Sequence, residues 1–242
     1  MAVSPKRQKV EGSEVTSSPW KDYTVILGSS SRFRRQYFEK FFSDIELTQM
    51  SPNIDEKAIR FENAERLTAA IANAKADALL PKIPKDQPSL LICLDQVVRV
   101  NGEICEKPAS PEEALARLEE YSKGTPGECV NGMVVVNTKT GQRLTEIQNG
   151  KVWLEPMDED ARRRILERKI IYDCAGGISV DEDPDCKISK TDCDLDIIVG
   201  LPAQRLRQML DHCALGVKPS IPPGLDAIPE ATHCLLKKNH KK

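Results

Sequence analysis

The sequence predicts an α/β fold, a mixed twisted sheet flanked by helices, and three observations carry that expectation. Strand-like and helix-like segments alternate from Val25 to Cys213, the pattern of helices packed on a sheet. Asn101-Gly102 stands between two strand-like runs, and that pair favours a two-residue hairpin, so the sheet is not purely parallel. At 242 residues and 40% apolar content the chain can bury a substantial core, as one large α/β domain or two small lobes. Residues 1–21 combine Ser, Pro, Lys and Glu with little apolar content and are expected to be a disordered tail. Its Pro5–Lys9 cluster reads as a nuclear address or as a solvated basic patch. The folded domain is expected over 22–215, with a Pro-rich, then Lys/His-rich, extension over 216–242.

The first strand is Val25-Ile26-Leu27, a short apolar run bounded by turn residues. Gly28–Ser31 is the turn. From Phe33, the residues Tyr37, Phe38, Phe41 and Phe42 recur at helical spacing, with Ser31 as the N-cap. Ile45–Met50 reads as a strand, 51–56 as a loop carrying Asp55 and Glu56, and Glu62–Leu80 as a helix with Leu67, Ile71, Ala74 and Ala78 on one face. Ser89–Val100 is the most apolar segment and the expected central strand. After the hairpin, Glu103–Glu106 returns along it. Ser110-Pro111-Glu112-Glu113 opens a helix to about Tyr121, with a Ser cap and Pro at the first position. Glu128–Asn137 and Arg143–Glu155 are strands, Asp158–Lys169 a helix, and 173–184 a loop. Leu195–Leu201 is expected as the last strand, before a helix opened by Pro202.

Several residues stand out chemically. In the strand–loop–helix at Leu27–Arg35, unpaired N–H groups, hydroxyls and the guanidinium groups of Arg32, Arg34 and Arg35 converge as a phosphate cradle would require. An ordinary connection with a solvated basic turn accounts for the same residues. Asp95 lies inside an apolar strand, where an ionised carboxylate is costly unless paired or metal-bound; the alternative is a turn cap at a strand end. Lys75 sits at the edge of the buried helical stripe, a position from which lysine usually snorkels to water. The hairpin should bring Glu106 and Lys107 near Asp95. Eight cysteines without a CxxC pair or His-bearing zinc spacing read as reduced, mostly buried thiols. A net charge of −2 offers no footprint for duplex nucleic acid. No run reaches membrane-spanning length and the first residues hold no apolar signal segment, so a cytoplasmic protein without a membrane partner is expected.

With these segments laid out, the chain resembles the Maf family of septum-formation-inhibitor-like nucleotide pyrophosphatases from about Val25 to Leu210. The resemblance rests on LGSSSRFRR at Leu27–Arg35, IDE at Ile54–Glu56, AKA at Ala74–Ala76, LDQVV at Leu94–Val98, NGEICEKP at Asn101–Pro108, AGG at Ala175–Gly177 and VGLP at Val199–Pro202, in shared order. It implies a mixed α/β fold with a deep cleft, shared with inosine-triphosphate pyrophosphatases, and a homodimer. It implies hydrolysis of nucleoside triphosphates to the monophosphate and pyrophosphate with a divalent metal, Mg²⁺ or Mn²⁺. On this resemblance Ser29, Ser31 and Arg34, with Lys75 and Lys107, form the triphosphate clamp, while Glu56 and Asp95 bind the metal and activate water. Two departures matter. Ser31-Arg32-Phe33-Arg34 replaces the frequent Ser-Pro-Arg-Arg and alters the base side, and Asp95-Gln96 replaces the usual Asp-Thr, which bears on metal geometry. Phe33 offers a stacking surface and Asp181 a hydrogen-bond acceptor, a combination resembling the branch that prefers 7-methyl-GTP over the branch that takes dTTP and UTP. A nucleotide-binding regulator without turnover, and an interaction protein with merely solvated charges, are the competing classes.

Overall fold

The computed structural model describes residues 18–217. Seven strands form one sheet: β1 (Thr24–Gly28), β2 (Leu47–Met50), β3 (Ser89–Val100), β4 (Glu103–Cys105), β5 (Gly127–Asn137), β6 (Arg143–Leu154) and β7 (Ile188–Thr191). Their order is β2-β1-β3-β5-β6-β7, with β4 paired to β3. β2, β1 and β3 run parallel, while β3-β5, β5-β6, β6-β7 and β3-β4 are antiparallel, so the expected mixed sheet is present. At the β3–β4 turn Asn101 has φ 51° and Gly102 φ 86°, the positive pair a two-residue hairpin demands.

Period-two alternation along β3 divides the molecule. Leu91, Cys93 and Val97 face α2 (Ala64–Leu79), and Leu90, Ile92, Leu94 and Val98 face the opposite layer. That opposite layer holds α1 (Arg32–Phe41), α3 (Pro111–Ser122), α4 (Glu159–Arg168) and α6 (Ala203–Leu215). Alanines at 69, 70, 72, 74 and 76 let α2 lie close to the sheet. Gly132, the β5 partner of Asp95, completes that approach, because a Cβ there would stand 2.5 Å from the Thr68 carbonyl oxygen.

Two sequence expectations are corrected. Trp20, assigned to the tail, is buried against Phe42 with ring centroids 6.3 Å apart, and its Nε1 donates to Asp211 Oδ1 at 2.7 Å. The rest of the expected tail through 17, including the Pro5–Lys9 cluster, and the extension from 218 lie outside the described residues. Leu195–Leu201 is no strand: Leu195–Ile198 forms a short helix, α5. The amides of Gln96 and Asn131 take up the carbonyls of Ile198 (3.0 Å) and Ile197 (2.9 Å), which satisfies backbone groups that would otherwise need a ladder. The place beside β6 goes instead to Ile188–Thr191, a segment too polar and short to show a strand pattern. Among the described residues all cysteines are free, and burial pushes the Cys93 thiol up to about 12.

Candidate active site

The site begins as a gap in the sheet. β1 pairs with β3 only as far as Cys93, and β4 pairs with it only from Val98. Between them, Leu94–Val97 has β5 on one side and, among the described residues, no strand on the other. The free Leu94 carbonyl there accepts from Arg34 Nη1 at 3.1 Å and from Lys75 Nζ at 3.3 Å. A cavity of about 1080 Å³ opens at this gap, lined on its several sides by Ser29, Phe33, Glu56, Lys75, Asp95, Lys107 and Asp181. These seven with Ser31 and Arg34 are the nine residues that the family resemblance assigned to the site, and all border this one space; Arg35, grouped with the cradle in the sequence, is not among its lining and pairs with Glu39 at 2.8 Å.

Asp95 falls on the α2 face of β3, where Lys75 meets it. The ammonium lies 2.9 Å from Asp95 Oδ1 and 3.1 Å from Glu56 Oε2, with the Lys75 and Asp95 side chains 5% and 9% exposed. Lys75 therefore does not snorkel: the tight approach of α2 at Gly132 leaves it inside, and two carboxylates take its charge. Burial raises the Asp95 carboxyl above its usual range, against the opposing pull of Lys75 and Arg34. Glu56 starts a single 3-10 turn capped by Asp55, whose carboxylate accepts the Lys57 N–H at 3.1 Å, and this turn presents Glu56 to Lys75 from the rim.

Opposite stands the N-terminus of α1. Ser31 caps it, accepting the Arg34 N–H at 3.3 Å, and the buried Ser29 hydroxyl accepts the Ser31 N–H at 3.2 Å. Arg34 is pinned by Leu94 and, through Nε, by the Gly200 carbonyl at 3.4 Å. Burial lowers its guanidinium pKa, opposed by the charges of Asp95 and Glu56. Lys107 reaches the cavity from the segment after β4, beside Glu106, whose carboxylate pairs with Arg60 at 3.2 Å. Gln96 does not join Asp95. Successive strand residues point to opposite faces, and Gln96 turns to α5, so its departure from the usual pattern supports backbone carbonyls there.

Phe33 and Asp181 line the same cavity. The Arg32 guanidinium lies 4.6 Å from the Phe33 ring centroid and 3.4 Å from Glu182. Tyr37, one turn along α1 from Phe33, donates its phenol to Asp181 Oδ2. Sequence reasoning used Tyr37 only as part of an apolar stripe, and it did not find Gln49, whose side chain donates to the Ser29 carbonyl at 2.7 Å. A tyrosine on a helical stripe carries no sign of where its hydroxyl ends. Arg60 and Arg117 line the same cavity and were likewise not singled out.

The fold and site define a mixed α/β protein whose cavity sets cations and a helix N-terminus around two carboxylates, an arrangement suited to a polyanion with a reacting centre at one end. The sequence matches the family described as Maf-like protein over residues 24–213, and the chain belongs to that family. It is 32% identical over 193 residues to a 7-methyl-GTP pyrophosphatase of Dictyostelium discoideum, covering 78% of this chain and 96% of that protein. It is 32% identical over 196 residues to a 7-methyl-GTP pyrophosphatase of Vibrio vulnificus, covering 78% and 94%. Among solved structures, the Ham1 protein of Staphylococcus aureus is similar at 17% identity and a TM-score of 0.36, over 55% of this chain and 71% of that one. That likeness carries no weight beside the family match and the observed sheet.

Proposed function

We propose that this protein hydrolyses nucleoside triphosphates to the monophosphate and pyrophosphate, with 7-methyl-GTP as its preferred substrate. The observation that carries the reading is the buried Lys75 ammonium shared by Asp95 and Glu56 across a cavity from the capped N-terminus of α1. In this reading Ser29, Ser31, Arg34 and Lys107 hold the triphosphate by hydroxyl, N–H and cation contacts. Asp95, its carboxyl raised by burial, accepts a proton from the water that attacks the α-phosphorus. The α–β bridging bond breaks and pyrophosphate leaves with its charge met by Arg34 and Lys107. Phe33 stacks on the base and Asp181 accepts from its N–H groups. Relatives in two distant organisms bearing the 7-methyl-GTP pyrophosphatase name support the choice of base.

Asp95 and Glu56 also fit a divalent cation. Both are hard oxygen donors that meet Lys75 through one oxygen each, so Asp95 Oδ2 and Glu56 Oε1 are the atoms that would serve as ligands, and among the described residues no group of three His, Cys, Asp or Glu forms an all-protein cage. Two carboxylates completed by substrate phosphates is the usual habit of Mg²⁺, and Mn²⁺ accepts the same ligands. When bound, such an ion would neutralise phosphate charge at the reacting centre. A homodimeric state and a cytoplasmic location belong to the same proposal and rest on family resemblance; no described helix is long and apolar enough to cross a membrane.

The test is kcat/KM for pyrophosphate release from 7-methyl-GTP, GTP, dTTP and UTP with Mg²⁺ and with EDTA, on wild type and Asp181→Gln. We expect 7-methyl-GTP to lead, EDTA to abolish release, and the variant to lose the preference. A lead by dTTP or UTP, or binding without pyrophosphate release, would overturn the reading.

A further inference from the structure

The wall that carries Phe33 and Asp181 is assembled from two elements far apart in the chain. The first is α1, whose N-terminus belongs to the anion side of the cavity. The second is the segment Ser179–Cys186 between α4 and β7. Two side-chain bridges join them across the rim: Tyr37 to Asp181 and Arg32 to Glu182. The segment is held from behind by Arg168, whose guanidinium makes a two-pronged pair with the buried Asp183 at 2.5 and 3.0 Å and also reaches Asp185 at 2.5 Å. Backbone bonds from Asp183 to Ser179 (3.1 Å) and from Cys186 to Asp183 (3.0 Å) close it on itself. Its main chain is thus fixed without Tyr37. What Tyr37 adds is the orientation of one carboxylate.

That orientation has a chemical reading. A carboxylate offers about four lone-pair sites, two on each oxygen. In Asp181 the phenol of Tyr37 takes one on Oδ2, and the Ser179 hydroxyl, at 3.4 Å, takes one on Oδ1. One acceptor site then remains on each of the two oxygens. A guanine Watson–Crick edge presents two adjacent donors, N1–H and the exocyclic amino group, which match that pair. A uracil edge presents one N–H between two carbonyl oxygens, and a carboxylate repels the carbonyls. Methylation at N7 puts a positive charge on the ring and makes N1–H a stronger donor, so the gain from a correctly turned carboxylate is largest for that base. Burial and the neighbouring Asp181 raise the Tyr37 hydroxyl above its usual pKa, which keeps it a donor throughout the working pH range.

We propose that Tyr37 is a positioning residue for base selection: its hydroxyl turns the Asp181 carboxylate so that both oxygens accept from a purine bearing adjacent N1–H and amino donors, 7-methylguanine above all. The inference deepens the proposed function and rests on its assignment of Asp181 to the base. Tyr37→Phe keeps the ring, which stacks on Phe41 at a 5.8 Å centroid separation, and removes only the donor.

The experiment measures Kd by calorimetry for 7-methyl-GMP and UMP, which need no turnover, on wild type, Tyr37→Phe, Asp181→Asn and the double variant. Wild type should favour 7-methyl-GMP. Tyr37→Phe should weaken 7-methyl-GMP by about tenfold, the scale of one lost charge-assisted bond, and leave UMP within about twofold. In the Asp181→Asn background it should do nothing further. Equal loss for both nucleotides, an unchanged ratio, the same loss without Asp181, or a wild type that binds both alike or neither would overturn the inference. Discrimination between the monophosphates without pyrophosphate release would overturn the hydrolase reading alone and leave this one standing.

Discussion

The two walls of the cavity are built on different physics. On one side Lys75, Asp95 and, at the rim, Glu56 are set by a regular helix lying on a regular sheet, with the first two nearly removed from water. On the other, Phe33 and Tyr37 are half-buried and Asp181 is exposed, on a helix and an irregular segment joined by the Tyr37–Asp181 and Arg32–Glu182 bridges. The inner wall is costly and rigid. Buried ions weaken the fold unless each has its partner, and they hold position only because the surrounding core does not yield. The outer wall costs little and can vary, which is where a family that keeps one reaction and changes its base would be expected to place the difference.

The sharpest way to break this contrast is at the inner wall. Asp95→Asn should lower pyrophosphate release by about a thousandfold, the upper range for losing a proton acceptor together with a metal ligand. It should cost less Tm than the loss of Lys75, because Glu56 still meets the ammonium left behind, at 3.1 Å. The carboxyl is raised in the folded state, so the stability it contributes is complete below the usual 3.8 and is lost as pH rises through the folded value. In EDTA at pH 7 the gain from removing a raised carboxylate should offset part of the lost ion pair, and the offset should vanish as the pH falls below that range. Lys75→Met should also inactivate but should cost stability, about 3 kcal/mol at neutral pH, because Asp95 is left buried without its cation. A Tm loss in Asp95→Asn equal to that in Lys75→Met would make the pair structural.

Gly132→Ala tests the support rather than the ions. The added Cβ meets the Thr68 carbonyl and the Ala69 nitrogen at 2.5 and 2.6 Å, backbone atoms that move only with α2. A loss of about 2 kcal/mol in denaturant unfolding is expected, with kcat falling as Lys75 is carried away from Asp95. Unchanged activity in a folded variant would show that the close approach of α2 does not set the ion geometry.

The smallest effect belongs to the cations at the mouth. Lys107 is exposed and Arg34 is fixed to two carbonyls. Lys107→Ala should raise KM for a nucleoside triphosphate by about tenfold, on the scale of one charge-assisted contact, and barely change binding of the monophosphate. Arg34→Ala should do more, since it also frees the Leu94 and Gly200 carbonyls. Equal losses on mono- and triphosphate would move both residues off the phosphate path.

How far the sequence reaches differs from residue to residue. Asp95 was legible because a carboxylate in SLLICLDQVVRV contradicts its surroundings, and contradiction is visible locally. Ser31 was legible because capping depends on residues three apart, and Asn101-Gly102 because its turn is written in two. Lys75 was ambiguous: its partner lies 20 residues away, and whether it snorkels depends on how near α2 comes to the sheet, which Gly132 on a third segment decides. The apolar run at Leu195–Ile198 misled because a strand needs a free neighbour, and two side-chain amides met its carbonyls instead. Tyr37 and Asp181 are 144 residues apart, so no local pattern could join them.

The chain by itself determined most of its strands and helices, β7 and α5 excepted, with their caps and hairpin, and the carboxylate that its core strand could not carry alone. Those depend on neighbours within a few residues, where propensity and periodicity act. Only the tertiary structure decided which charges meet. The gap at Leu94–Val97 arises because β1 ends and β4 begins at different points along β3, and registers between distant strands are set by packing of the whole core.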